Sequence, residues 1–135
     1  LDPNNADAHL FLSFALTSVG RGEEAMHYIE KGIRLNPHPS TFYQTTLGMC
    51  YVVLEDYDKA IAAFKHGVGI TEVFLPNHYN LCIIYTLLGR DEEARIEREK
   101  VLALSGGRKP VVQINWIDED LRLRMQVLTQ LAGLT

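Results

Sequence analysis

The residues of this chain that could do chemistry are its histidines, its two cysteines and one glycine-rich basic segment. The five histidines are scattered over the chain: His9, His27, His38, His66 and His78. None of them forms a set at metal-ligand spacing with a cysteine or a carboxylate, so we expect no metal site and no cofactor. Cys50 and Cys82 lie among apolar residues inside helical patterns, which is typical of small, reduced core residues.

The glycine-rich segment 106–109, Gly-Gly-Arg-Lys, has the composition of an anion-binding loop. A phosphate-binding loop also needs a lysine followed by serine or threonine, and that signature is absent here. Glycines beside basic residues more often mark the end of a helix. No serine stands in a motif that would make it a nucleophile. The sequence therefore predicts a protein that is not an enzyme.

Composition limits the possible partners. The chain has 135 residues, of which 47% are hydrophobic, enough for one domain with a continuous core. A net charge of −4 argues against a nucleic-acid partner, which would need a clustered basic face. No run approaches the ~20 apolar residues of a membrane span, and the first residues do not form a signal peptide. We therefore expect a cytoplasmic protein without membrane insertion. Because the chain opens on leucine, we also expect it to be a fragment of a longer protein.

One arrangement of large and small residues recurs about every 34 positions. Its central copy contains Leu47, Gly48, Tyr51, Ala60 and Phe64. Similar series begin at Leu12, 35 positions earlier, and at Leu81, 34 positions later. Each copy has the pattern of two amphipathic helices joined by a short polar turn. The small residue in each second helix predicts a close helix crossing; these residues are Ala25, Ala60 and Ala94.

A helix–turn–helix unit of this spacing resembles the tetratricopeptide repeat. The resemblance implies an all-α, right-handed superhelical stack of three repeats, at about 6–37, 41–72 and 75–106, forming a single domain. A capping helix at about 118–132 is expected to cover the end of the third repeat. Two residues depart from the pattern, namely Glu55 in place of a turn glycine and Arg98 in place of an aromatic residue. The charge run around Arg98 predicts a solvated helix face.

Longer stretches resemble one subgroup of these proteins. They are LDPNNADAHLFLSFALTSVGRGEEAMHYIEKGIRLNPHPSTFY, FLPNHYNLCIIYTLLGRDEEAR and the final QLAGLT. They are similar to the C-terminal tail that follows the catalytic domain in many bacterial class III adenylate cyclases and related regulators. The resemblance implies a bacterial regulatory or oligomerisation tail that contains no catalytic residues of its own.

In such a stack the first helix of each repeat lines the concave face. The side chains expected to form a partner-binding groove there are Leu10, Phe14, Phe42, Thr45, Met49, Tyr79 and Ile83. Such a groove is apolar and almost uncharged, which suits an amphipathic helix or apolar peptide. Some tetratricopeptide domains clamp a carboxylate with lysine, arginine and asparagine, but only Asn80 matches that set here. Part of the same apolar stripe would serve equally well as core between the repeats.

The expected partner is therefore a protein or peptide. It would be a separate protein, the catalytic domain of the longer protein, or a second copy of this chain in a homodimer. The alternative function is a structural spacer or homodimerisation module that binds no separate ligand.

Overall fold

The computed structural model describes residues 5–108, 116 and 118–135, and these residues form seven α-helices. The helices are α1 (Ala6–Ser18), α2 (Gly22–Leu35), α3 (Thr41–Val53), α4 (Tyr57–Ile70), α5 (Leu75–Leu87), α6 (Asp91–Leu104) and α7 (Glu119–Leu131). Helices α1 to α6 form three consecutive hairpins, and α2 and α4 each pack against the first helix of the next hairpin. The predicted all-α stack of three repeats with a C-terminal helix is confirmed. Within these residues no helix is long and apolar enough to cross a membrane.

The turns inside the hairpins share one backbone conformation. Gly20 and Gly89 have φ of +81° and +72°, and Glu55 occupies the same left-handed region with φ of +60°. A residue with a side chain pays roughly 1–2 kcal/mol for this conformation, whereas glycine adopts it freely. The departure at Glu55 therefore leaves the turn unchanged and adds local strain.

The segment after α6 ends that helix, as the commoner interpretation of its glycines predicts. Gly106 and Gly107 both have positive φ, and the Gly107 amide donates to the Leu102 carbonyl at 2.7 Å. Lys109, the last residue of the glycine-rich segment, lies outside the described residues.

The small residues of the repeat pattern lie where large ones pack. A Cβ added to Gly48 would come within 2.5 Å of the Phe64 ring, which is completely buried. The three alanines of the second helices are also buried. Arg98, in the position that Phe64 occupies one repeat earlier, is only half-buried. The apolar seam of the hairpins is therefore interrupted in the third repeat.

Replacing Ala60 by leucine is expected to lower the free energy of unfolding by about 1–3 kcal/mol, because the extra carbons have no space at a fully buried site. Urea denaturation of both proteins measures the difference. Ala62 lies on the exposed side of the same helix, so Ala62→Leu is a matched control with an expected change within about 0.5 kcal/mol. Equal denaturation midpoints for Ala60→Leu and the unmodified chain would show that the crossing tolerates a larger residue.

Candidate protein-interaction surface

The inner surface is defined here as the faces of α1, α3 and α5 that turn away from α2, α4 and α6. All seven residues of the predicted groove belong to these three helices. Five of them are buried: Leu10, Thr45, Met49, Tyr79 and Ile83. Phe14 and Phe42 are half-buried, with ring centroids 5.8 Å apart. In this conformation the predicted residues do not line an open groove.

Thr45 is engaged in the contact between the second and third repeats. Its hydroxyl donates to Asn77 Oδ1 at 2.7 Å, and Asn77 Nδ2 donates to the Thr41 hydroxyl at 2.8 Å. The Thr41 hydroxyl in turn donates to the Gly67 carbonyl at 2.8 Å. Each of these buried polar groups therefore has a protein hydrogen-bond partner in place of the water that it loses on folding. A network that joins α3, α4 and α5 fixes how the second and third repeats sit on one another.

Helix α7 contacts residues of all three repeats. At its start the Asp118 amide donates to the Ser18 carbonyl at 3.1 Å, at the end of α1. In its middle Arg124 donates to Glu55 Oε1 at 3.1 Å, in the turn after α3. Towards its end Thr129 accepts from the Tyr79 hydroxyl of α5 at 3.3 Å. The helix thus runs from the first repeat to the third.

The apolar side of α7 joins the main core. Leu121, Met125 and Leu128 line a shallow crevice together with side chains of α3, α4 and α5, namely Val52, Tyr57, Ile84 and Leu87. The same packed cluster includes three predicted groove residues, Met49, Tyr79 and Ile83. Thr129 of α7 contacts one of them, Tyr79, so α7 lies on part of the surface that the sequence assigns to a partner.

The end of α7 also closes the third repeat. Gly133, with φ of +71°, ends the helix, and the Leu134 amide donates to the Thr129 carbonyl at 3.1 Å. Leu134 is completely buried, and a Cβ at Gly133 would lie 3.3 Å from Arg98 Nη1. The interrupted seam of the third repeat is therefore covered by the last residues of the chain.

Two buried polar side chains of the inner surface lack hydrogen-bond partners among the described residues. They are Thr46, through its hydroxyl, and Asn80, through its amide nitrogen. Each stands two residues before the small residue that faces the second helix of its hairpin, Gly48 or Cys82. Two residues are about 200° around a helix, which places both on the inner side. The 34-residue spacing of this pair is visible in the sequence, where only Asn80 matches the carboxylate-binding set.

Three buried titratable side chains, Cys50, Cys82 and His78, contribute to packing and hydrogen bonding in the core. Burial is the main reason that the pKa of the Cys50 thiol is raised and that the pKa of Cys82 is raised to about 11. Both cysteines are buried and free, so the prediction of reduced core residues is confirmed. His78 is also buried, with Nδ1 2.7 Å from Glu97 Oε2 and Nε2 2.6 Å from the Glu72 carbonyl. The predicted solvated charge run is therefore wrong at Glu97, which faces inward to His78.

Comparison with known proteins identifies the repeats. The family model of the tetratricopeptide repeat matches residues 6–39 and 43–73, so the first two hairpins are tetratricopeptide repeats, as the sequence predicts. The whole chain is similar in structure to PilW, a widely conserved type IV pilus biogenesis factor. The TM-score is 0.74 at 20% identity, and the match covers 99% of this chain and 58% of PilW.

A second solved structure, MamA, gives a TM-score of 0.73 at 21% identity, covering 98% of this chain and 78% of MamA. At these identities both similarities establish the fold alone. The chain spans somewhat more than half the length of PilW. No curated protein sequence matches it.

Proposed function

We propose that this chain is a non-catalytic protein-interaction scaffold that binds an amphipathic helix or apolar peptide on its inner surface. A tetratricopeptide stack is a scaffold for protein partners, which is the coarse function that its fold implies. The single observation that supports helix binding is α7, whose apolar side packs on this surface. A surface that accepts one amphipathic helix has the shape and polarity to accept another.

We also propose that the scaffold is the regulatory or oligomerisation tail of a bacterial signalling protein such as an adenylate cyclase. This setting is supported only by the sequence resemblance, since PilW and MamA share the fold at low identity. The cytoplasmic location and the catalytic domain as partner belong to the same proposal.

Homodimerisation is the second candidate, and the outer side of α7 favours it. Leu123, Val127 and Leu131 are spaced by four residues and are 47%, 55% and 69% exposed. Such a stripe on a helix surface is a common site of self-association. Light scattering over a range of concentrations tests it: a dimer that Val127→Lys dissociates would support this function, and a monomer at all concentrations would exclude it.

Helix binding is tested with synthetic amphipathic peptides that carry leucine at positions i, i+4 and i+7 and a photoreactive group on that side. We expect binding by the intact chain with crosslinks on α1, α3 and α5. A scrambled peptide of equal composition should bind about tenfold more weakly or worse, because its apolar residues no longer share one side. The affinity should change little between about 50 and 500 mM salt, since the contact is mostly apolar. Crosslinks confined to α2, α4 and α6, or equal affinity for the scrambled peptide, would contradict the proposal.

A further inference from the structure

The connection to α7 is unlike the others in the chain. Between the ends of α6 and α7 it comprises residues 105–118, whereas the five other connections have three to five residues each. Lengthening a connection adds little to the entropic cost of bringing its two ends together. A helix that follows a long connection can therefore dock at a distance from the helix that precedes it. Helix α7 is thus joined to the repeats by a long connection, and it packs on them as a separate ligand would.

Helix α7 makes polar contacts with the repeats as well as apolar ones. Arg124 donates to Glu55 at 3.1 Å and to the Tyr57 hydroxyl at 3.1 Å. Glu55 is the residue that replaces glycine in a left-handed turn. A strained backbone position that persists often serves a binding function, and here the strained residue supplies the carboxylate that meets α7. Helix α7 is therefore held by one exposed ion pair as well as by its apolar side.

We infer that α7 is a resident ligand of the inner surface, and that the partner is an amphipathic helix of the same chemistry which displaces it. The ligand carries apolar residues in the places of Leu121, Met125 and Leu128 and a basic residue in the place of Arg124. The inference rests on the proposed function, because it names the partner of that same surface. An attached helix competes at a high effective concentration, so the unmodified chain binds its partner more weakly than a chain in which α7 is loosened.

The test uses a fluorescent peptide of residues 118–135 and three full-length proteins: the unmodified chain, Met125→Lys and Gln130→Lys. Met125 is on the buried side of α7 and Gln130 on the exposed side, so the two variants carry the same charge change on opposite sides. We expect Met125→Lys to bind the peptide at least about tenfold more tightly than the other two proteins, because its own helix no longer competes. Circular dichroism and cooperative thermal unfolding check that each protein keeps a folded helical stack. If Met125→Lys unfolds, Arg124→Glu is the milder releasing variant, for which a severalfold gain is expected.

A charge exchange tests the specificity. The Glu55→Arg protein should prefer a peptide that carries Arg124→Glu, while the unmodified chain should prefer the natural peptide. Equal peptide affinity of Met125→Lys and Gln130→Lys, with both folded, would overturn the inference. Unrelated amphipathic peptides that bind these two proteins equally would overturn it and leave the proposed function intact. Failure of every peptide to bind either folded protein would overturn both.

Discussion

Replacing Phe64 by alanine is expected to lower the free energy of unfolding by about 3–5 kcal/mol. The ring is completely buried, and it lies against the backbone of Gly48, where a Cβ would approach to 2.5 Å. Gly48 has no side chain to fill the space, so a cavity remains unless α3 moves towards α4. Urea denaturation measures the loss. Phe11→Ala is the matched control, because Phe11 is 62% exposed and should change stability by less than about 1 kcal/mol.

The same contact predicts strong coupling between Phe64 and Gly48. Gly48→Ala should destabilise the unmodified chain, because the added methyl group collides with the ring. In the Phe64→Ala background that collision is gone, so the same substitution should be neutral or stabilising. A double-mutant cycle then gives a coupling of about 1–3 kcal/mol. Additive effects of the two substitutions would mean that the helices separate to admit either side chain.

His78→Leu is expected to cost about 3 kcal/mol of stability, since it leaves the Glu97 carboxylate buried without its main partner. Lys100, 3.3 Å from Glu97 and half-exposed, compensates for only part of the loss. The Glu72 carbonyl also loses the donor at 2.6 Å. Denaturation at constant pH measures the change.

The loss of stability when both members of the pair are replaced should be smaller than the sum of the losses in the two single variants. His78→Leu combined with Glu97→Leu buries no charge, and apolar replacement of a buried pair is often close to neutral. Glu99→Leu on the exposed side of α6 is the control for added apolar area. A double variant as unstable as the two single variants together would show that the pair contributes little as a pair.

The sequence by itself determined the hairpins of this protein. The recurrence of a small residue opposite a large one, as at Gly48 and Phe64, requires two helices to cross closely, whatever surrounds them. The left-handed turns at Gly20 and Gly89 are equally local, because only glycine adopts that conformation without strain. These features depend on residues within one period, and a single sequence displays them directly.

Only the tertiary structure decided what covers the inner surface. The apolar side of α7, including Leu121 and Met125, predicts that the helix is buried but does not specify the surface that buries it. Its contact with Glu55 joins residues 69 positions apart, and the pairing of His78 with Glu97 depends on how α5 meets α6. A helical period defines a direction for each side chain within its own helix. The partner in that direction follows from how the helices pack, because the apolar attraction that brings them together is non-directional and acts between many pairs of surfaces.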